Sequence, residues 1–252
     1  MHVTFLGTGA AMPNGERFQT GIAVQDEGRT LLVDCGSGVL HRLQQTAIGY
    51  EAVDTVLLTH HHLDHVADLL PLMKARWLAG EESLAIYGPS GTRELLEGLL
   101  AVHEYMQDRL ELTIETVEPG PFTVAGFDVE AMETRHSLPC LAYRFDDRFA
   151  FSGDSEAFAG LADFADGCAV LAHDCSFPDD VEVSNHPTPS LLGEALAGRD
   201  IGRVYLTHLY PHTDGRHREM CASLGEHYDG DVRFAEDRQT VRIDAEGPAE
   251  EG

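Results

Sequence analysis

Lysine is almost missing from this chain. Lys74 is the only one in 252 residues, and every other basic side chain is arginine. Seventeen basic residues face 43 acidic ones, for a formal net charge of −26. A domain this acidic repels itself until salt screens the charge. The composition therefore predicts a halophilic source, with acidic groups serving hydration and solubility in brine. It also withholds the basic face on which nucleic-acid binding usually rests. Long apolar runs are lacking too, since none approaches the ~20 residues of a membrane-crossing helix. The first residues, Met1 to Gly9, carry no basic stretch followed by an apolar run, so the expected location is cytoplasmic, with no membrane partner. Cysteine is sparse. Cys35, Cys140, Cys168, Cys175 and Cys221 are scattered, with no pair at zinc-ribbon spacing, and read as free thiols. The single tryptophan, Trp77, lies with Leu69, Leu72 and Met73 on what reads as a packing surface, and such a strip could also serve a homodimer contact.

What is present is an ordinary globular mixture, 43% hydrophobic and 24% charged. Residues 1–243 read as one domain. Residues 244–252, rich in Gly, Pro and Glu with nothing to bury, read as a disordered acidic tail. Short β-branched runs predict strands over 2–6, 21–25, 30–33, 54–59, 84–87, 112–117, 122–132, 140–145, 148–152, 168–172 and 203–207. Helical spacing marks 38–47, 66–78, 92–107, 189–197 and 216–228. Strands followed by helices, twice over, imply two sheets packed together and covered outside by helices, with one shared active-site edge.

Directly after the apolar run Val56-Leu57-Leu58 comes Thr59-His60-His61-His62-Leu63-Asp64-His65. His60 and His62 are two apart and can reach the same side of a strand end, whereas His61 points away. Asp64 and His65 follow at a turn. Four ligand-type side chains in six positions at such a junction predict a preorganised metal site. Imidazole with carboxylate suits zinc, and a mixed set of this kind also accepts manganese or iron.

His-x-His-x-Asp-His after an apolar strand resembles the signature of the metallo-β-lactamase superfamily. The rest of that pattern follows in order. Asp34 matches the structural aspartate before the signature. His136, in Thr134-Arg135-His136-Ser137, matches the third histidine. Asp154, in Ser152-Gly153-Asp154-Ser155, matches the bridging aspartate, and His208, after Val204-Tyr205-Leu206-Thr207, the last histidine. Taken singly, His136 reads as a loop histidine and Asp154 as a turn residue; only the joint pattern says otherwise. The resemblance implies an α/β fold, a four-layer αββα sandwich of two mixed sheets. It also implies two divalent metal ions, one held by His60, His62 and His136, the other by Asp64, His65 and His208, with Asp154 bridging. Two cations about 4 Å apart generate a nucleophile from water at neutral pH and clamp the oxygens of a displacement.

Within the superfamily, Phe5-Leu6-Gly7-Thr8-Gly9 with Arg17, and Asp34-Cys35-Gly36-Ser37-Gly38, resemble ribonuclease Z-like proteins. So do His173-Asp174-Cys175-Ser176 and His186-Pro187-Thr188. The likeness implies that His186 gives a proton to the leaving oxygen while Asp174 orients it, beside the metal ligand Asp64. Pro187 stands where the His-x-Thr motif usually has a small or polar residue. Residues 66–134 also hold no long Gly/Pro-rich insertion of the kind that grips tRNA. The expected function is thus a metal-dependent phosphodiesterase, with RNA and a smaller phosphodiester both open as substrates and the smaller one favoured. A thioester or lactone hydrolase on the same metal pair is the alternative, and a metal-binding module without catalysis a third reading.

Overall fold

The computed structural model describes residues 1–244 and 247–251. Fifteen strands and seven α-helices follow in chain order: β1 His2–Gly7, β2 Gly21–Asp26, β3 Arg29–Val33, α1 Val39–Gln44, β4 Thr55–Leu57, α2 Leu63–Val66, α3 Leu69–Ala79, β5 Ser83–Gly88, α4 Thr92–Val102, β6 Glu111–Thr116, β7 Gly120–Val124, β8 Phe127–Glu133, β9 Leu141–Phe145, β10 Phe149–Phe151, α5 Ala159–Ala165, β11 Val170–Asp174, α6 Pro189–Leu196, β12 Arg203–Thr207, α7 His217–Leu224, β13 Val232–Phe234, β14 Thr240–Asp244 and β15 Gly247–Glu251. They form an eight-stranded sheet, β15-β14-β1-β2-β3-β4-β5-β6, and a seven-stranded sheet, β13-β12-β11-β10-β9-β8-β7. Both are mixed. β3 to β6 run parallel, as do β10 to β13, and the remaining pairs are antiparallel.

Strand alternation builds the layers. Leu31 and Val33 of β3 point into the core between the sheets, where Phe149, Phe151, Val170 and Tyr205 come from the other side. Leu32, between them, faces outward into a second core under α1, α3 and α4. In the second sheet Ala150, Leu171, Val204 and Leu206 face a third core under α5, α6 and α7. Both faces of each sheet are therefore covered, which is why the central strands read as continuous apolar runs rather than alternating ones. The result is the four-layer αββα sandwich the sequence implied.

Several elements differ from expectation. The run 122–132 is not one strand but the hairpin β7–β8, turning at Ala125 and Gly126, both at positive φ (49° and 76°). Ala-Gly is a weak signal for such a turn, which favours Asn-Gly. The helix expected over 66–78 is split into α2 and α3, because the Asp68 amide bonds to the Cys35 carbonyl at 2.9 Å instead of continuing the helix. The disordered tail is a correction. Gly247–Glu251 is strand β15, antiparallel to β14, because that edge offers unpaired backbone groups and Glu250 accepts from the Tyr205 hydroxyl at 2.9 Å and from Arg233 at 2.7 Å. Of the predicted tail, 245, 246 and 252 lie outside the described residues.

All five cysteines are free. Leu69, Leu72 and Met73 are buried in the second core, so that strip packs inward, and Trp77 is capped by Lys74 and Arg109. Among the described residues no helix is long and apolar enough to cross a membrane.

Gly36 lets the β3 loop meet the histidine-rich loop. A Cβ there would lie 2.0 Å from the Asp64 carbonyl oxygen and 2.9 Å from the Thr20 amide nitrogen, both backbone atoms. Gly36→Ala is therefore expected to cost at least about 2 kcal/mol of stability, read from urea unfolding. A change below about 0.5 kcal/mol would mean that these loops are not in close register.

Candidate metal centre

The chemistry-bearing residues lie at the carboxyl ends of strands, the edge at which open α/β sheets bind ligands. Asp34 follows β3, the histidine run follows β4, His136 comes just after β8 and Asp154 just after β10. Asp174 ends β11, and His208 follows β12. Two cross-sheet bonds lock the edge together, from Tyr143 Oη to the Leu58 carbonyl (2.7 Å) and from the Leu141 amide to the Thr59 carbonyl (3.0 Å).

Two clusters share Asp154. In the first, His62 Nδ1 lies 3.0 Å from His60 Nε2 and 3.1 Å from His136 Nε2. Asp154 Oδ2 is 3.6 Å from His60 and 3.8 Å from His136. In the second, His208 Nε2 is 3.1 Å from Asp64 Oδ2 and 3.4 Å from Asp154 Oδ2, and His65 Nε2 is 3.3 Å from Asp154 Oδ1. Ligand atoms of His60, His62, His136 and Asp154 all lie within 4.8 Å of one another, as do those of Asp64, His65 and His208. All seven sequence-predicted metal residues are thus brought together. His61 is not among them; its ring bonds to Thr92 Oγ1 at 2.8 Å.

Outer hydrogen bonds decide which nitrogen of each ring faces inward. Asp34, held in the left-handed region at φ 60°, accepts the Thr59 amide at 2.7 Å, the Thr59 hydroxyl at 2.8 Å and His65 Nδ1 at 2.7 Å. Since the Thr59 hydroxyl donates to Asp34, it accepts from His60 Nδ1 at 3.0 Å. His136 Nδ1 donates to the Asn185 carbonyl at 3.2 Å, and Asn185 itself is at φ 66°. His208, also left-handed at φ 56°, donates from Nδ1 to Ser176 Oγ at 2.9 Å, while Ser176 donates to Asp174 Oδ1 at 2.6 Å. With Nδ1 used as donor, the Nε2 atoms of His60, His65, His136 and His208 converge. This is how metal-binding histidines are held. The left-handed backbone at Asp34 and His208 is strain concentrated at the site.

A divalent cation fits this donor set. His65 Nε2 is buried without a hydrogen-bond partner. His60 Nε2, His62 Nδ1 and His136 Nε2 gather at 3.0–3.1 Å with at most one proton, on His62, to share, and they stand close to the ~3.3 Å that two nitrogens take around one tetrahedral zinc. Burial holds the His60, His62 and His136 pKa values below the ordinary histidine range, which keeps those rings neutral. For His65, burial acts downward too, but the Asp154 and Asp34 carboxylates outweigh it and raise it to about 10. His208 is raised as well: burial acts downward, and Asp154, Asp174 and Asp64 together overcome it.

Beside the second cluster, His186 Nδ1 donates to Asp174 Oδ2 at 2.7 Å. Its ring stacks on that of His208, with centroids 5.3 Å apart and planes 15° from parallel. Burial would raise the Asp174 pKa, but His186 brings it down to about 2. The same carboxylate thus orients His186 directly and His208 through Ser176. Thr59 and Ser176 lie inside quoted motifs and Asn185 in none, but the hydrogen-bonding roles of all three follow from tertiary contacts that the sequence does not display.

This sandwich, with paired His/Asp clusters at one edge, defines a protein of metallo-β-lactamase fold, ribonuclease Z-like in type. The chain belongs to the family described as Anti-Pycsar protein Apyc1, which matches residues 1–192. It is 28% identical to a ribonuclease Z of Mycolicibacterium gilvum, across 96% of this chain and 96% of that protein. Among solved structures, the metallo-beta-lactamase fold protein YhfI from Bacillus subtilis superposes with a TM-score of 0.84 at 26% identity, covering 95% of this chain and 98% of YhfI. The short form of human tRNase Z gives a TM-score of 0.78 at 22% identity, over 97% of this chain and 100% of that one.

Removing the Ser176 hydroxyl should free the His208 ring and weaken divalent metal binding roughly 10- to 100-fold. Competition with a chromophoric chelator measures it. Ser176→Ala should show the loss and Ser176→Thr should largely restore affinity; equal affinities in all three proteins would mean that this hydroxyl does not set the ring.

Proposed function

We propose that this chain hydrolyses phosphodiesters using two divalent cations, zinc by donor chemistry. His60, His62 and His136 hold one, Asp64, His65 and His208 the other, and Asp154 serves both. Cations held there supply a nucleophile at neutral pH and positive charge for the oxygens of the displacement. The observation that carries the choice of reaction is the His186–Asp174 contact of 2.7 Å beside the second cluster. A leaving alkoxide needs a proton, whereas the thiolate released from a thioester leaves without one; a lactone also expels an alkoxide, and there the likeness to ribonuclease Z relatives favours the phosphodiester. Asp174 accepts the hydrogen bond from His186 Nδ1–H, so His186 Nε2 is left to hand its proton to the departing oxygen. Asp174 also raises the His186 pKa against the effect of burial, which favours the proton-carrying form near neutral pH.

The ribonuclease Z relatives act as the comparison for substrate. Residues 66–134 here form α3, β5, α4, β6 and the β7–β8 hairpin, with no extended gripping arm. Together with the charge of −26, that favours a small phosphodiester over a precursor tRNA.

His186→Ala should slow cleavage of a dinucleotide, whose leaving alkoxide is poor, by roughly 10²–10⁴-fold. The same variant should lose far less on bis(p-nitrophenyl) phosphate, whose leaving group needs no proton. Equal losses on both substrates would remove His186 from the acid role, and no turnover of either by metal-loaded wild type would end the phosphodiesterase proposal.

We also propose that the acidic surface is suited to concentrated salt. Melting temperature is expected to climb between low and molar potassium chloride as self-repulsion is screened. A flat response would argue against it.

A further inference from the structure

One aromatic cluster beside the reaction centre belongs to none of the three apolar cores. Phe177 and Tyr210 stack with centroids 4.5 Å apart and planes 24° from parallel, and His212 lies 5.3 Å from Phe177. Phe177 and Tyr210 are half-buried and His212 is exposed. The cluster adjoins the proposed acid, since His186 is 6.2 Å from Phe177 and 6.1 Å from Tyr210 by ring centroids. Tyr210 is also 5.8 Å from the His208 ring.

The chain path fixes this position. Phe177 directly follows Ser176, whose hydroxyl binds His208, and Tyr210 lies two residues after His208. Between them the Leu209 amide is tied to the Thr8 carbonyl at 2.9 Å. The ring pair thus flanks His208, adjoins His186 and fills no core, so its exposed aromatic surface lies beside the reaction centre.

We infer that Phe177 and Tyr210 form a stacking subsite for a nucleobase of the phosphodiester substrate, on the His186 side of the centre. This rests on the phosphodiesterase reading and names the two rings that would hold a substrate's base. Electrostatics favour the same solution. A chain of net charge −26 cannot collect nucleotides on a basic surface, and stacking depends on a base's π-face rather than on its phosphates.

The test compares a dinucleotide with its abasic counterpart, the two differing only in the rings. Metal-loaded wild type should prefer the base-bearing substrate in kcat/KM. Phe177→Leu and Tyr210→Leu should each cut that preference by roughly 5- to 150-fold, while Tyr210→Phe keeps it. General damage to the site lowers both rates and leaves their ratio alone, so an unchanged ratio in both leucine variants overturns the inference. A second readout needs no turnover, namely binding of adenosine 5′-monophosphate against ribose 5-phosphate to the metal-loaded protein. Tighter nucleotide binding that weakens in Phe177→Leu supports the subsite even if no diester is cleaved, an outcome that would sink only the phosphodiesterase reading. Equal binding of the two ligands to wild type overturns it.

Discussion

Imidazole nitrogens and carboxylate oxygens do not gather in a buried cleft by mutual attraction. Here three imidazole nitrogens crowd to 3.0–3.1 Å with at most one proton to share in one cluster, and a histidine nitrogen is left without a partner in the other. Everything around them enforces that crowding. Asp34 ties the end of β3 to the loop after β4, and Asp174 ties the end of β11 to the residues around His208 and His186. Divalent metal binding turns the cost of this arrangement into its purpose, because unfilled donors of this kind are what a metal ion satisfies.

The two anchoring carboxylates act alike in different sheets. Asp34 reaches His65 directly and His60 through the Thr59 hydroxyl. Asp174 reaches His186 directly and His208 through the Ser176 hydroxyl. Each pairing of carboxylate and hydroxyl fixes two ring orientations, so a few buried groups align four of the rings on which the proposed reaction depends. The sandwich supplies what they need: two sheets whose strand ends meet along one edge, held rigid by cores on both faces.

Much of this was legible in the sequence. Buried strands such as Leu31–Val33 and Val204–Leu206 carry their apolar runs openly, and ligand-type residues stand directly after them. His136 and Asp154 were readable only through their order relative to the histidine cluster, since neither has a distinctive local context. Less was visible where tertiary contacts override local preference. Nothing in Leu63–Ala79 announces that Asp68 will bond to Cys35 and break the helix, and nothing in the acidic last residues announces a strand until β14 offers its edge. Helix α5 and strands β13 and β14 were also missed, being short and, in the strands, heavily charged. Thr59, Ser176 and Asn185 hide among ordinary polar residues, because a hydroxyl or carbonyl acquires its role from the ring that the fold brings to it.

The claim on which the rest depends is that these side chains bind cations as a pair of sites sharing Asp154. Metal content per chain, determined by mass spectrometry after complete chelation and reloading with zinc, tests it most directly when wild type is set beside Asp154→Ala. Two equivalents in the wild type, with marked loss from both sites in the variant, is the result predicted. Fewer than two in the wild type, or two retained without Asp154, would contradict it.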